Sequence, residues 1–225
     1  GAYVGWSIAQ GIGFWPALVV APVIVGVLGA VFERTALRRT HRWGHVPELL
    51  VTFGLSYVIV ELVQLLWGRL ALDFRAPEAL QGPAFTLVHT AGEGLRLLTG
   101  AAPQALCQGS SVTCTPFPAT RAFMAATALV MLLGLWLLVT RTRVGLVIQA
   151  ALTHPEMVEA LGHNVPRVFM LVFALGSALA GLAGVVGGAT FVTEPGMAAL
   201  VGSIIFVVVV VGGLGSLAGA FVASL

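Results

Sequence analysis

Apolar residues fall in long unbroken stretches, separated by clusters of arginine and by one long mixed segment. The first runs from Phe14 to Phe32 and stops at Glu33, Arg34, Arg38, Arg39 and Arg42; the second runs from Leu49 to Trp67. A third, Ala122 to Val139, ends at Arg141 and Arg143, and a fourth spans Val168 to Ala189. Each is close to the roughly 20 helical residues needed to cross about 30 Å of hydrocarbon, which predicts membrane-spanning helices. Ala198 to Leu225 is apolar as well, but Gly212-Gly213-Leu214-Gly215-Ser216 in its middle predicts a broken helix. Gly1 to Gln10 reads as the outer end of a further helix. Residues 68–120, with Pro77, Pro83, Pro103, Pro116 and Pro118, read as a segment outside the bilayer. The pattern predicts an all-α polytopic helical bundle, a single domain over residues 1–225.

Composition strengthens this. Of 225 residues, 58% are hydrophobic and 9% charged, against about 25% charged in soluble domains. So few charges do not solvate a globule of this size in water, and lipid must be the solvent for much of its surface. The eleven cations are all arginines, and no basic run is interleaved with aromatics as a nucleic-acid surface would be. The loop from Glu33 to Val46 holds four of them and the loop from Thr140 to Arg167 three. Alternating spans put these two loops on one side, which the positive-inside rule makes the cytoplasm. Residues 68–120 then face outward, and Asp73, Glu78 and Glu93 offset their arginines.

The most informative loop is residues 141–167. Thr153-His154-Pro155-Glu156 has the spacing of a capping box, with Thr153 accepting from the Glu156 N–H and the Glu156 carboxylate reaching back. Pro155 loses nothing in a first turn, where its missing N–H has no partner anyway. Gly162 suits the left-handed residue past a helix end. A helix over 154–161 is predicted, about two turns and roughly 12 Å long. Met157, Val158 and Leu161 are expected on one face of it. So short a helix is not stable alone in water, so it rests on something, either the lipid surface or a protein.

The block Ala150-Ala151-Leu152-Thr153-His154-Pro155-Glu156-Met157-Val158-Glu159-Ala160-Leu161-Gly162 resembles the coupling loop of branched-chain amino-acid ABC transporter permeases, the LivH/LivM family. Val165, Arg167-Val168-Phe169, Phe173-Ala174-Leu175-Gly176 and Leu179-Ala180-Gly181-Leu182-Ala183-Gly184 continue the resemblance in order. So do Phe206 to Ser216 and Gly219-Ala220. Glu33-Arg34, Leu37-Arg38 and Leu50-Val51-Thr52-Phe53-Gly54-Leu55-Ser56 are similar to LivH-type members in particular, and Gly1-Ala2-Tyr3-Val4 resembles the end of the family's second hydrophobic segment. Two features depart from the pattern: His154 stands where the family has Asp or Asn, and the outer segment with Cys107 and Cys114 is longer than expected. Typical members are longer at both ends, Gly1 is not Met, and Leu225 lies inside an apolar run. The expectation is a stretch of a longer polytopic chain.

The resemblance implies a mechanism. Two permease subunits form the pore, this chain beside a LivM-like partner, in a bacterial inner membrane. Two cytoplasmic ATPase subunits drive it, and an extracytoplasmic binding protein delivers the amino acid. Residues Thr153 to Gly162 would couple to the ATPase. The chain carries no glycine-rich phosphate loop ending in Lys and Ser or Thr, so no cofactor and no catalytic residue of its own is expected, ATP being bound by the partners. A sugar permease of the same superfamily keeps everything but the substrate. An ion-coupled carrier is the remoter alternative, since it wants acids deep in several spans and only Glu61 comes near.

Thr52 and Ser56 share a face and are candidates to line the substrate pathway, with Gly212, Gly213, Gly215 and Ser216 at the helix break; a tight turn between two helices uses the same break equally well. Glu61 and Gln64 lie about two turns from the outer end of their span, where a paired or snorkelling role is the reading preferred here. Gly176, Ala180 and Gly184, with Gly181 and Gly188 beside them, read as a small-residue packing seam. Cys107 and Cys114 are a candidate disulfide in an oxidising outer compartment. No histidine and cysteine cluster has metal-ligand spacing.

Overall fold

The computed structural model describes residues 1–40, 45–74, 76–90, 94–100, 112–162, 164–213 and 216–224. Four helices among them are long and apolar enough to cross a membrane: Phe14–Thr40, Leu50–Trp67, Ala119–Arg141 and Val165–Thr190. They coincide with the four apolar stretches, three of them extended at one or both ends. The extension has a cause: an unpaired backbone group is costly in hydrocarbon, so a helix continues until caps or water take over.

Helix α1 (Ala2–Ile12) breaks at Gly13 into α2 (Phe14–Phe32), which runs on through a π-helical turn, Glu33–Leu37, to Thr40. Helix α3 (His45–Trp67) returns. Strands β1 (Pro83–Thr90), β2 (Gly94–Thr99) and β3 (Val112–Pro118) follow, then α4 (Ala119–Arg141), α5 (Arg143–Thr153), the short α6 (Pro155–Ala160) and α7 (Val165–Thr190). Helices α8 (Met197–Gly212) and α9 (Leu217–Ser224) complete the described chain.

The centre of the bundle is α2 packed on α7, with α1 laid across both. Small residues bring the backbones together, since lipid offers no hydrophobic drive between helices. A Cβ on Gly26 would stand 3.1 Å from the Ala174 carbonyl oxygen, and one on Gly181 would stand 3.2 Å from Cα of Pro22. The seam differs from the predicted one. Gly181, Gly184 and Gly188 lie in it, together with Ala178 and Ser177, but Gly176 has open space beside it and Ala180 is exposed. The stripe follows the 3.6-residue period through 177, 181, 184 and 188, and Gly176 and Ala180 fall off that line.

The ends of the helices sort into two groups. At one end Phe14 meets Phe74 and Phe123, with ring centroids 6.1 and 6.2 Å apart. There too the Leu72 N–H donates to the Thr193 carbonyl at 2.8 Å, and Trp67 Nε1–H donates to Ser7 Oγ at 2.8 Å. At the opposite end Phe32 approaches Phe173 at 6.1 Å, and α5 and α6 pack near the start of α7. Glu33–Thr40 and residues 141–167 therefore share one end of the bundle.

The sheet is the main departure from an all-helical expectation. Strands pair antiparallel in the order β2-β1-β3, with Phe85 opposite Phe117, whose rings stack 4.7 Å apart, and Val88 opposite Cys114. Its three strands lie within residues 68–120, the segment read as mixed. Prolines at 83, 116 and 118 sit at strand ends and on an edge strand, where a missing N–H is tolerated. Helices α4 and α8 bury no residue, and Val130 and Val211 are 69% and 73% exposed. Lipid or protein must cover them.

Candidate functional site

The loop at the arginine end is built from three consecutive elements. Thr142 caps α5, its hydroxyl accepting from the Gly145 N–H at 3.0 Å while donating back to the Leu138 carbonyl. The chain folds back so sharply here that a Cβ on Gly145 would collide with the Leu138 and Val139 carbonyls. Gly145 was not singled out by sequence; its place directly after Arg143-Val144, at the start of a new helix, was the available signal.

Helix α5 does not run into α6 through the predicted capping box. Thr153 is the last residue of α5, and its hydroxyl donates to the carbonyls of Gln149 and Ala150 at 3.0 and 3.2 Å. His154 takes the cap position of α6, at φ −137° and ψ 73°, with no side-chain cap bond. Thr153 is thus turned into its own helix, where a threonine hydroxyl readily bonds the carbonyl one turn back. Pro155 opens α6 as expected, and Gly162, at φ +85°, closes it in the left-handed region that a residue with a Cβ avoids. His163 lies outside the described residues. Asn164 then caps α7, Oδ1 accepting from the Arg167 N–H at 3.2 Å.

The apolar face of α6 is divided rather than single. Val158 is 4% exposed and joins Ala151 of α5 and Val165 of α7 in a small core, with Val147, Val168 and Phe169 against it. Met157 and Leu161, 70% and 79% exposed, point away, beside an exposed Leu152. His154, Pro155, Glu156, Glu159 and Ala160 are also exposed. The geometry is a short helix fixed from behind and offering two large apolar side chains in front, which is what a groove on another protein takes up.

The predicted pathway residues are more scattered. Thr52 is half-buried on α3, and Ser56 Oγ donates to the Phe53 carbonyl at 2.6 Å. Gly213, at φ +86°, turns the chain between α8 and α9, and a Cβ on Gly212 would stand 2.6 Å from the Ala220 backbone nitrogen, so α9 folds back against α8. Ser216 caps α9, accepting from the Gly219 N–H at 3.0 Å. Gly215 lies outside the described residues. Among the described residues no extensive packing joins α3 to α8, so these do not bring the two groups into one site.

Cys107 lies outside the described residues, and Cys114 is on β3; no free cysteine occurs among the described residues. No group of three or more His, Cys, Asp or Glu fit for a metal is found among them.

The family model for the branched-chain amino acid transport system permease component matches residues 1–225. LivH of Escherichia coli K12, a high-affinity branched-chain amino acid transport system permease protein, is 25% identical over all of this chain and 64% of its own length. BraD of Pseudomonas aeruginosa, of the same description, is 38% identical over 41% of this chain and 30% of its own. A probable LivH of Methanocaldococcus jannaschii is 32% identical over 42% of this chain. The chain thus spans less than two thirds of the length of these relatives. No solved structure matches it.

Proposed function

The chain belongs to the branched-chain amino acid transport system permease family, and on that premise we propose that it is pore-forming sequence of an ATP-driven importer. Four helices of membrane-spanning length among the described residues make it a multi-pass membrane protein. The solute is a branched-chain or related hydrophobic amino acid, in keeping with the names of LivH and BraD. The membrane is a bacterial inner membrane, and the arginine end faces the cytoplasm. The partners are a second, LivM-like permease subunit, two cytoplasmic ATPase subunits and an extracytoplasmic binding protein.

The observation that carries the reading is α6. It stands at the arginine end, backed by Val158, with Met157 and Leu161 turned outward. Seated in a groove on the ATPase, such an element passes motion rigidly. A push on α6 is transmitted through the Ala151–Val158–Val165 core to α7, and α7 is packed along α2. ATP binding and hydrolysis in the partner would thereby shift the central helix pair between outward and inward access. The test is uptake of labelled leucine into vesicles holding the full-length transporter, with and without ATP. ATP-dependent uptake is expected. Uptake of a sugar instead would keep the mechanism and replace the substrate, while uptake driven by an ion gradient without ATP would overturn the reading.

A further inference from the structure

Helix α3 touches the rest of the described chain mainly at its two ends, through the π-helical turn and through Trp67, whose ring lies 5.7 Å from that of Tyr3. Its half-buried residues, among them Thr52, Leu55, Val60, Val63 and Trp67, mark the side turned to the bundle. Glu61 lies nine residues beyond Thr52, which at 3.6 residues per turn is about two and a half turns and so the opposite side. Tyr57, one turn earlier, is 72% exposed, and Gly54, one turn before that, has open space beside it. Gln64, half-buried, follows about 60° round the helix from Glu61, at the border of this side. Among the described residues Glu61 has no hydrogen-bond or ion-pair partner.

Depth makes this arrangement costly in lipid. Glu61 is six residues from the end of the span at Trp67, about 9 Å at 1.5 Å per residue. Escape to the interface is a property of the long lysine and arginine side chains, and the short glutamate stem does not cover that distance. A carboxylate facing hydrocarbon there is expensive, so this side of α3 faces water or protein.

We propose that the Gly54–Tyr57–Glu61 side of α3, with Gln64 at its border, lines the translocation pathway, and that Glu61 is a cation subsite for the α-ammonium group of the amino acid in transit. The assignment rests on the importer reading above. A zwitterion entering a low-dielectric passage loses hydration at its ammonium group, and one carboxylate offsets that loss. The flanking Gln64 amide and Tyr57 hydroxyl offer hydrogen bonds, and Gly54 leaves room for a side chain to pass. A single exposed carboxylate also holds the solute loosely, as conduction requires.

The experiment uses the full transporter in vesicles. Glu61→Gln is expected to cut leucine uptake about tenfold or more, the size of one lost charge-assisted contact, with Glu61→Asp largely restoring it. The amount of co-purified ATPase is expected to stay unchanged. In a Cys107→Ser, Cys114→Ser background, Glu61→Cys and Tyr57→Cys are expected to react with a water-borne methanethiosulfonate while Val130→Cys on α4 does not. Leucine is expected to slow the Tyr57→Cys reaction, in which Glu61 is intact, and 4-methylpentanoate, its analogue without the ammonium group, is not. Wild-type uptake by Glu61→Gln, loss of the assembled complex, or labelling no faster than at Val130→Cys would each overturn the proposal. Cysteine labelling needs no transport, so fast labelling at position 61 in a protein that imports no amino acid would count against the importer reading and leave the aqueous face standing.

Discussion

Met157 and Val158 are neighbours in α6, about 100° apart round the helix, and differ in surroundings: the first is 70% exposed, and the second, 4% exposed, is held by Ala151 and Val165. Their substitutions should separate docking from folding. Met157→Asp or Leu161→Asp leaves the small core intact and sets a carboxylate in the proposed contact. The expected outcome is normal expression with loss of co-purified ATPase and of uptake, an unpaired polar group in an interface costing about 1 to 3 kcal/mol. Val158→Ala should weaken the α5–α6–α7 junction by about 1 to 3 kcal/mol, read as a lowered unfolding temperature in detergent. Normal expression, ATPase binding and uptake in Leu161→Asp would remove α6 as the coupling element.

The start of α6 is open to improvement. His154 occupies the cap position without a side-chain bond, so His154→Asp is expected to add about 0.5 to 2 kcal/mol of local stability. Thr153→Ala removes only bonds to carbonyls already satisfied within α5, and a near-neutral effect is expected. Hydrogen exchange over residues 154–161 distinguishes the two. Faster exchange in Thr153→Ala by tenfold would revive the capping box.

A third expectation concerns the elbow between α4 and α5. A side chain at Gly145 meets the Leu138 and Val139 carbonyls, and backbone does not yield as the tip of a flexible side chain does. Gly145→Leu should therefore disturb the loop and lower the yield of folded protein. Gly176→Ala, on an open face of α7, should be neutral or gain up to about 1 kcal/mol of helix propensity. Equal thermal stability of the two variants would show that the elbow is not tight.

What was legible in the sequence follows from how local each signal is. The spans were read to within a few residues because an apolar run of membrane length has one main use. Pro155 and Gly162 marked α6 because each acts through its own backbone angle. Thr153 misled because a threonine hydroxyl finds a carbonyl one turn behind it as easily as an N–H one turn ahead, and spacing alone does not choose. The sheet was missed because the strands are short, the prolines read as loop, and pairing of β1 with β3 joins residues about thirty apart in sequence. Which face of α3 looks outward depended on where the rest of the bundle lies, and no periodicity within residues 45–67 carries that.

Topology makes a fourth expectation. Glu33–Thr40 and residues 141–167 share one end of the bundle. In a background without Cys107 and Cys114, cysteine at Arg38 or at Thr142 should react with an impermeant reagent only after the cytoplasmic side is opened. Cysteine at Gly94, on β2, should react in intact cells. Labelling of position 142 in intact cells would reverse the orientation and remove α6 from the reach of any cytoplasmic ATPase.

The sheet supplies the last expectation. Cys114 lies on β3 opposite Val88, a residue 6% exposed, so a bond to Cys107 would be anchored at a buried part of the sheet. Six residues separate the two cysteines, a shorter loop than the 15 residues for which chain entropy supplies about 3 kcal/mol, so the stabilisation is expected to be smaller than that. In an oxidising outer compartment the bond should form on its own. Protein purified without reductant should then take up no alkylating reagent until reduced, and intact mass should rise by two adducts afterwards. Reduction should loosen β3, seen as faster hydrogen exchange over residues 112–118, and leave α2 and α7 unchanged, because the sheet lies outside the seam that joins them. Two alkylated cysteines in protein never exposed to reductant would sink the disulfide, and loss of the α2–α7 protection on reduction would show that the sheet holds the bundle together.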